Sequence, residues 1–210
     1  MRPTLETHRQ RLQAACRRIS EIPVEILMAD DAGLSVHAGV AALASGRFMV
    51  LSSEFAGRDA DFEMNALVCH ELAHLVSRPG PQENKINIEA LKPVVAKPWR
   101  SWPAHCGPLL WAGHDYRFIR TLVHIAYRLS SQGFLVDREA SFSHRTYGLS
   151  SLSKYATALA DEPSRLDWIP IAEVLATPMP QSFQKLWTHD VVRSLKRLLL
   201  KRSPTNVERS

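Results

Sequence analysis

The chain has 210 residues, 45% hydrophobic and 22% charged, a globular composition sufficient for one core with an appended subdomain. Its formal net charge of +5 and pI near 9.3 allow contact with a polyanion but serve solubility equally well. Three cysteines, an odd number without a C-x-x-C pair, exclude a disulfide framework or cysteine-rich zinc module. The start "MRPTLETHRQ" lacks the apolar core of a secretory signal, and no run reaches the length of a membrane span, so a reducing, cytoplasmic setting and no membrane partner are expected.

Residues 4–20 carry Leu5, Leu12, Ala15 and Ile19 at near-helical spacing among Arg and Gln, which predicts a surface helix. "EIPVEILMADDAG" reads as a short apolar strand and a turn at Asp30, Asp31 and Gly33. "LSVHAGVAAL" reads as a second strand, "ASGR" as a turn and "FMVLSSEF" as a third strand. Three short strands with tight turns imply a small, mostly antiparallel sheet, and the whole an α+β fold.

The next element, "GRDADFEMNALVCHELAHLVSRPG", opens with Asp59, Asp61 and Glu63, acids suited to a helix N-terminus, and stops at Pro79 and Gly80. Phe62, Ala66, Cys69, Ala73 and Val76 form one apolar stripe, widened by Leu67, Val68, Leu72 and Leu75, so the helix is expected to be mostly buried. Residues 79–113 change character, with prolines at 79, 81, 93, 98, 103 and 108 interleaved with Trp99, Trp102 and Trp111, and predict an irregular insertion. A helix follows over 114–131, with Phe118, Leu122, Ile125 and Leu129 on its apolar face and Gly133 at its end. A short helix is predicted over 136–145 and a final one over 181–200, with Pro163, Pro170, Pro178 and Pro180 breaking the region between. The organisation expected is a domain over 1–150, containing the 79–113 insertion, and a helical extension over 151–210 with a basic tail.

Within the buried helix, His70, Glu71 and His74 stand in the order H-E-x-x-H. Residues four apart share a helix face, so His70 and His74 can offer two imidazole nitrogens to one ion, and imidazole suits zinc. Glu71 is rotated by about 100°, which sets it beside the ion, within reach of a bound water. Zinc lowers the pKa of its water from about 15.7 towards 7. Glu71 would accept the proton as hydroxide attacks a carbonyl and pass it to the leaving amine. Burying two imidazoles and a carboxylate in an apolar helix is costly without compensation, and a metal supplies it. The bland alternative is a satisfied polar network in the core.

A catalytic zinc site needs a third protein ligand and an open position. The extended pattern H-E-x-x-H-x-x-G-x-x-H is excluded, because Ser77 and Gly80 stand where its glycine and histidine belong. The candidates are His105, His114, His124, Glu89, Glu139 and His144. His114 ranks first, at the head of an amphipathic helix that can pack on the first. His124 lies almost three turns further on and reads as a polar residue at a packing edge. Glu139, on the short later helix, is the acidic alternative.

The succession "FMVLSSEF", "NALVCHELAHLV" and, after the insertion, "GHDYRFIR" resembles the zincin metallopeptidases, and most of all their SprT-like branch, over residues 22–131. In that branch H-E-x-x-H is followed by an H-G-x-x-F segment at the head of a helix; here it reads His114-Asp115-Tyr116-Arg117-Phe118, with Asp115 in place of the glycine. The resemblance implies a zincin-like fold and zinc-dependent hydrolysis of peptide bonds in a protein or peptide substrate. It implies His70, His74 and His114 as Zn²⁺ ligands and Glu71 as the catalytic residue. By the same analogy "FMVLSSEF" would be an edge strand pairing with an extended peptide. Tyr116, His105 and Arg117 are the candidates for stabilising an oxyanion.

In the final helix, Leu186, Val191, Leu195, Leu198 and Leu199 share one register, while Lys185, Arg193, Lys196, Arg197, Lys201 and Arg202 supply charge. A helix that packs its leucines and solvates its basic residues accounts for this, with nucleic acid as a further candidate partner. The alternative function is therefore a catalytically silent, metal-binding zincin scaffold that binds nucleic acid or protein as a regulator.

Overall fold

In the computed structural model, residues 5–29, 42–45, 47–51, 60–77, 114–141 and 151–202 are described. The first helix, α1, spans Leu5–Ser20 and buries Leu12, Ala15, Cys16 and Ile19 on one face. Three strands follow: β1 (Glu25–Met28), β2 (Ala42–Ser45) and β3 (Phe48–Leu51). Helix α2 spans Ala60–Ser77 and α3 spans Tyr116–Ser131. Four shorter helices and turns come next in part: α4 (Arg138–Ser141), α5 (Leu152–Ala158), α6 (Glu162–Arg165) and α7 (Ile171–Val174). The last helix, α8, spans Gln181–Arg202. The fold is α+β and predominantly helical.

The sheet departs from the antiparallel expectation. Its order is β1-β3-β2, with β2 antiparallel to β3 but β1 parallel to it. The two-residue connection from Ser45 to Phe48 makes β2 and β3 antiparallel neighbours. All four residues of "FMVL" are buried, as in a strand covered on both faces, and such a strand takes a partner on each side. β3 is thus central, not the edge expected by analogy. The strand expected within 34–43 is seen only from Ala42 and continues to Ser45, inside the segment that reads as a turn. Residues 30–41 and 52–59 lie outside the described residues.

The outer edge of β1 is occupied by α1. Arg9 donates to the Ile26 carbonyl, Ile26 N donates to Gln13 Oε1 (2.7 Å), and Arg17 Nε donates to the Val24 carbonyl (2.8 Å). Positions 9, 13 and 17 repeat every four residues, so one stripe of the helix satisfies the backbone that an open strand would leave exposed.

Helix α2 packs against the sheet, α1, α3 and α4. Met64, Val68, Cys69, Leu72 and Ala73 meet Phe118, Ile119, Leu122 and Ile125 of α3 in a core that also holds Leu152, Tyr155, Ile171 and Phe183. Burying each large apolar side chain contributes about 1.5–3 kcal/mol. Phe62, in the expected stripe, is the exception: at the first turn of α2 it is 36% exposed. Cys16 and Cys69 are buried free thiols, and burial pushes Cys16 up to about 12, which makes it inert. Among the described residues, no helix is long and apolar enough to cross a membrane.

Two buried arginines tie α3 to the chain after Ser151. Arg120 pairs with Glu162 and donates to the Thr177 carbonyl (3.0 Å) and hydroxyl (2.7 Å). Arg128 Nη2 donates to the carbonyls of Leu166 (2.6 Å) and Ile169 (2.8 Å). These guanidinium groups satisfy backbone carbonyls in irregular segments that lack a regular ladder.

His124 corrects the packing-edge reading: it is fully buried, with Nε2 3.7 Å from Glu162 Oε2. Burial lowers the pKa of its imidazolium, and Glu162 only partly opposes this. Below the unfolded value of about 6.5, the unfolded chain therefore takes up a proton that the folded chain resists. Stability from this group is present above that pH and lost as pH falls. Denaturant unfolding in a chelator should show wild type losing more stability between pH 7.5 and 5.5 than His124→Leu. Equal losses would contradict the assignment.

Candidate metal centre

The centre is assembled where α2 meets the head of α3. His70 and His74 lie one turn apart on α2, and the chain delivers His114 immediately before α3 begins. Asp115 is the N-cap: extended at φ −80° and ψ −173°, it accepts from Arg117 N (3.0 Å) and Phe118 N (3.1 Å). A carboxylate here satisfies two helix-end N–H groups, favours the helix N-terminus and fixes the point at which His114 leaves it. Asp115→Ala should cost about 1 kcal/mol in stability, read by chemical denaturation; no loss would mean that the cap is replaceable by water.

The three imidazoles turn their Nε2 atoms together. His74 Nε2 lies 3.1 Å and His114 Nε2 3.0 Å from His70 Nε2. One ligand atom from each residue falls within 4.8 Å of the others. In a tetrahedral site with Zn–N bonds of about 2.0–2.1 Å, donor atoms stand roughly 3.3 Å apart, so the spacing fits an ion held among them. Three nitrogen lone pairs cannot face one another this closely without a proton or a cation between them.

Phe118, one turn into α3 and fully buried, forms the floor. Its ring centroid lies 5.0 Å from that of His70 and 4.5 Å from those of His74 and His114. One aromatic ring thereby packs against all three imidazoles. On the other flank, His70 Nδ1 donates to the Ser141 carbonyl at 2.7 Å. Burial pushes the imidazolium pKa of His70 down, and the Ser141 carbonyl partly offsets this; the balance favours the neutral ring that a metal requires. Glu71 follows His70 on the same helix and is buried.

The other sequence candidates lie elsewhere or outside the described residues. Glu139 Oε1 accepts from Ser153 N (3.0 Å) and Ser153 Oγ (2.7 Å), at the start of α5. His124 faces Glu162 on α3. Tyr116 and Arg117 are exposed at the head of α3, with the Tyr116 ring 6.5 Å from that of Trp187. His105, Glu89 and His144 fall outside the described residues, as does the whole 79–113 insertion. Ser141 is the participant that the sequence does not flag: it acts through its backbone carbonyl, which every residue type possesses. Comparison with protein-family models, with curated proteins and with solved structures returned no match to this chain.

Proposed function

We propose that the chain is a zinc-dependent metallopeptidase of zincin-like build, with zinc held by His70, His74 and His114 and with Glu71 as the proton-transfer residue. The observation that carries the reading is the convergence of three Nε2 atoms, two from α2 and one from the residue that leads into α3, distant in sequence. An all-imidazole donor set with intermediate burial favours zinc over the oxygen-seeking Mg²⁺ and Ca²⁺. When bound, zinc would acidify a water molecule and polarise a substrate carbonyl.

The chain's own residues supply the rest. Glu71 lies about 100° around α2 from His70, next in sequence to one of the two histidines that α2 contributes. There it would take the proton of the attacking water and return it to the departing amine nitrogen. Phe118 restricts the ligand rings from one side. The resemblance of "CHELAH" and "HDYRF" to the zincin pattern supports the same reading.

The test is hydrolysis of an unfolded protein substrate by zinc-loaded protein. Cleavage should stop on chelation and return with added zinc. A protein that binds zinc stoichiometrically yet cleaves no member of a broad peptide panel would overturn the peptidase reading and favour a silent metal-binding module.

A further inference from the structure

The hydrogen bond from His70 to Ser141 selects one form of the His70 ring. A carbonyl oxygen only accepts, so Nδ1, 2.7 Å from it, carries the hydrogen. A neutral imidazole has one N–H, so Nε2 keeps its lone pair. That is the nitrogen lying 3.1 Å from His74 Nε2 and 3.0 Å from His114 Nε2.

The carbonyl is held in turn by a small hydrogen-bonded unit. Ser141 N donates to the Asp137 carbonyl at 2.9 Å, and the Ser141 hydroxyl donates to the same oxygen at 2.6 Å. At the other end of the turn, Asp137 Oδ1 accepts from Glu139 N at 2.8 Å. Ser141 is fully buried, and α4 packs on α2. Asp137 thus fastens both ends of the turn, with its side chain at the start and its carbonyl at Ser141.

We propose that residues 137–141 form a tautomer clamp on the metal group, with Asp137 as its positioning residue. The clamp places the hydrogen of His70 on Nδ1 and dedicates Nε2 to the ion. It removes the alternative ring form, in which Nε2–H would face the ion, and it fixes the ring's rotation. The consequence for metal affinity rests on the metallopeptidase reading; the ring form itself does not. Partners that orient a ligating histidine typically contribute about 10–100-fold to metal affinity.

The experiment has two parts. In metal-free wild type, above the imidazole titration range, the ring-nitrogen NMR shifts of His70 are assigned by comparison with His70→Asn. Nδ1 should be protonated and Nε2 bare; the reverse pattern overturns the clamp. Zinc affinity is then measured by competition with a chromophoric chelator. Asp137→Ala should bind about 10–100-fold more weakly, whereas Asp137→Asn, which keeps the Oδ1 acceptor, should stay close to wild type. A folded Asp137→Ala that binds zinc as wild type does overturns the clamp and leaves the metal reading standing. If wild type binds no zinc, the metal reading falls and the NMR result alone decides the clamp. If Asp137→Ala fails to fold, the wild-type ring form and the Asp137→Asn affinity decide it.

Discussion

Replacing Glu71 with Gln is expected to leave zinc binding intact and to lower turnover by about 10²–10⁴-fold. The two side chains have nearly the same shape, so the buried position on α2 is preserved. The amide can still accept a hydrogen bond, but it cannot take up and return a proton. Because the converging donors are three imidazoles, loss of the carboxylate should not loosen the ion. The measurement pairs zinc content with steady-state hydrolysis. Unchanged turnover would assign proton transfer to another group, and loss of zinc together with activity would make Glu71 a ligand.

The largest stability effect is expected on the far side of α3. Arg120 and Glu162 form an ion pair with both side chains almost completely buried. Burial alone would raise the pKa of the Glu162 carboxyl, but the proximity of His124 and the hydrogen bond donated by Arg120 outweigh it and hold the group ionised. Removing one partner strands the other charge in the interior. Glu162→Ala should therefore lower the unfolding free energy by about 3–5 kcal/mol. The double variant Arg120→Met/Glu162→Leu should recover much of that, short of the bonds Arg120 makes to Thr177 and Pro178. Equilibrium denaturation distinguishes the cases. A cost under about 1 kcal/mol would mean that water or rearrangement solvates Arg120.

The helices that build the candidate centre were legible because their signals are local. The apolar stripe of 66–76 and the set Phe118, Leu122, Ile125 and Leu129 fall on the buried faces of α2 and α3. His70 and His74 are neighbours by helix geometry alone, and His114 meets them because α3 packs on α2. Strand pairing is non-local, so the turn signal at Asp30, Asp31 and Gly33 gave no warning that β1 would run parallel to β3. The short helices after Ser151 were hidden by prolines read as breakers. Pro163 instead stands in the first turn of α6, where its missing N–H costs nothing, and Pro170 immediately precedes α7.

Buried polar residues were the hardest to place. His124, read as a polar residue at a packing edge, and Asp190, on which the pattern is silent, are both completely buried. Their partners, Glu162 and Tyr155, come from segments distant in sequence; the Tyr155 hydroxyl donates to Asp190 Oδ2 at 2.8 Å. Local periodicity reports which face is apolar and carries nothing about which distant donor or acceptor arrives to satisfy a polar neighbour.

The central claim, that two imidazoles on α2 and one at the head of α3 hold a zinc ion, is tested most directly by metal analysis and zinc titration of wild type, His114→Ala and Glu139→Ala. One zinc per chain is expected in wild type and in Glu139→Ala, whose carboxylate is engaged at Ser153, and a sharp loss in His114→Ala. Full zinc retention in folded His114→Ala, or loss in Glu139→Ala instead, would contradict it.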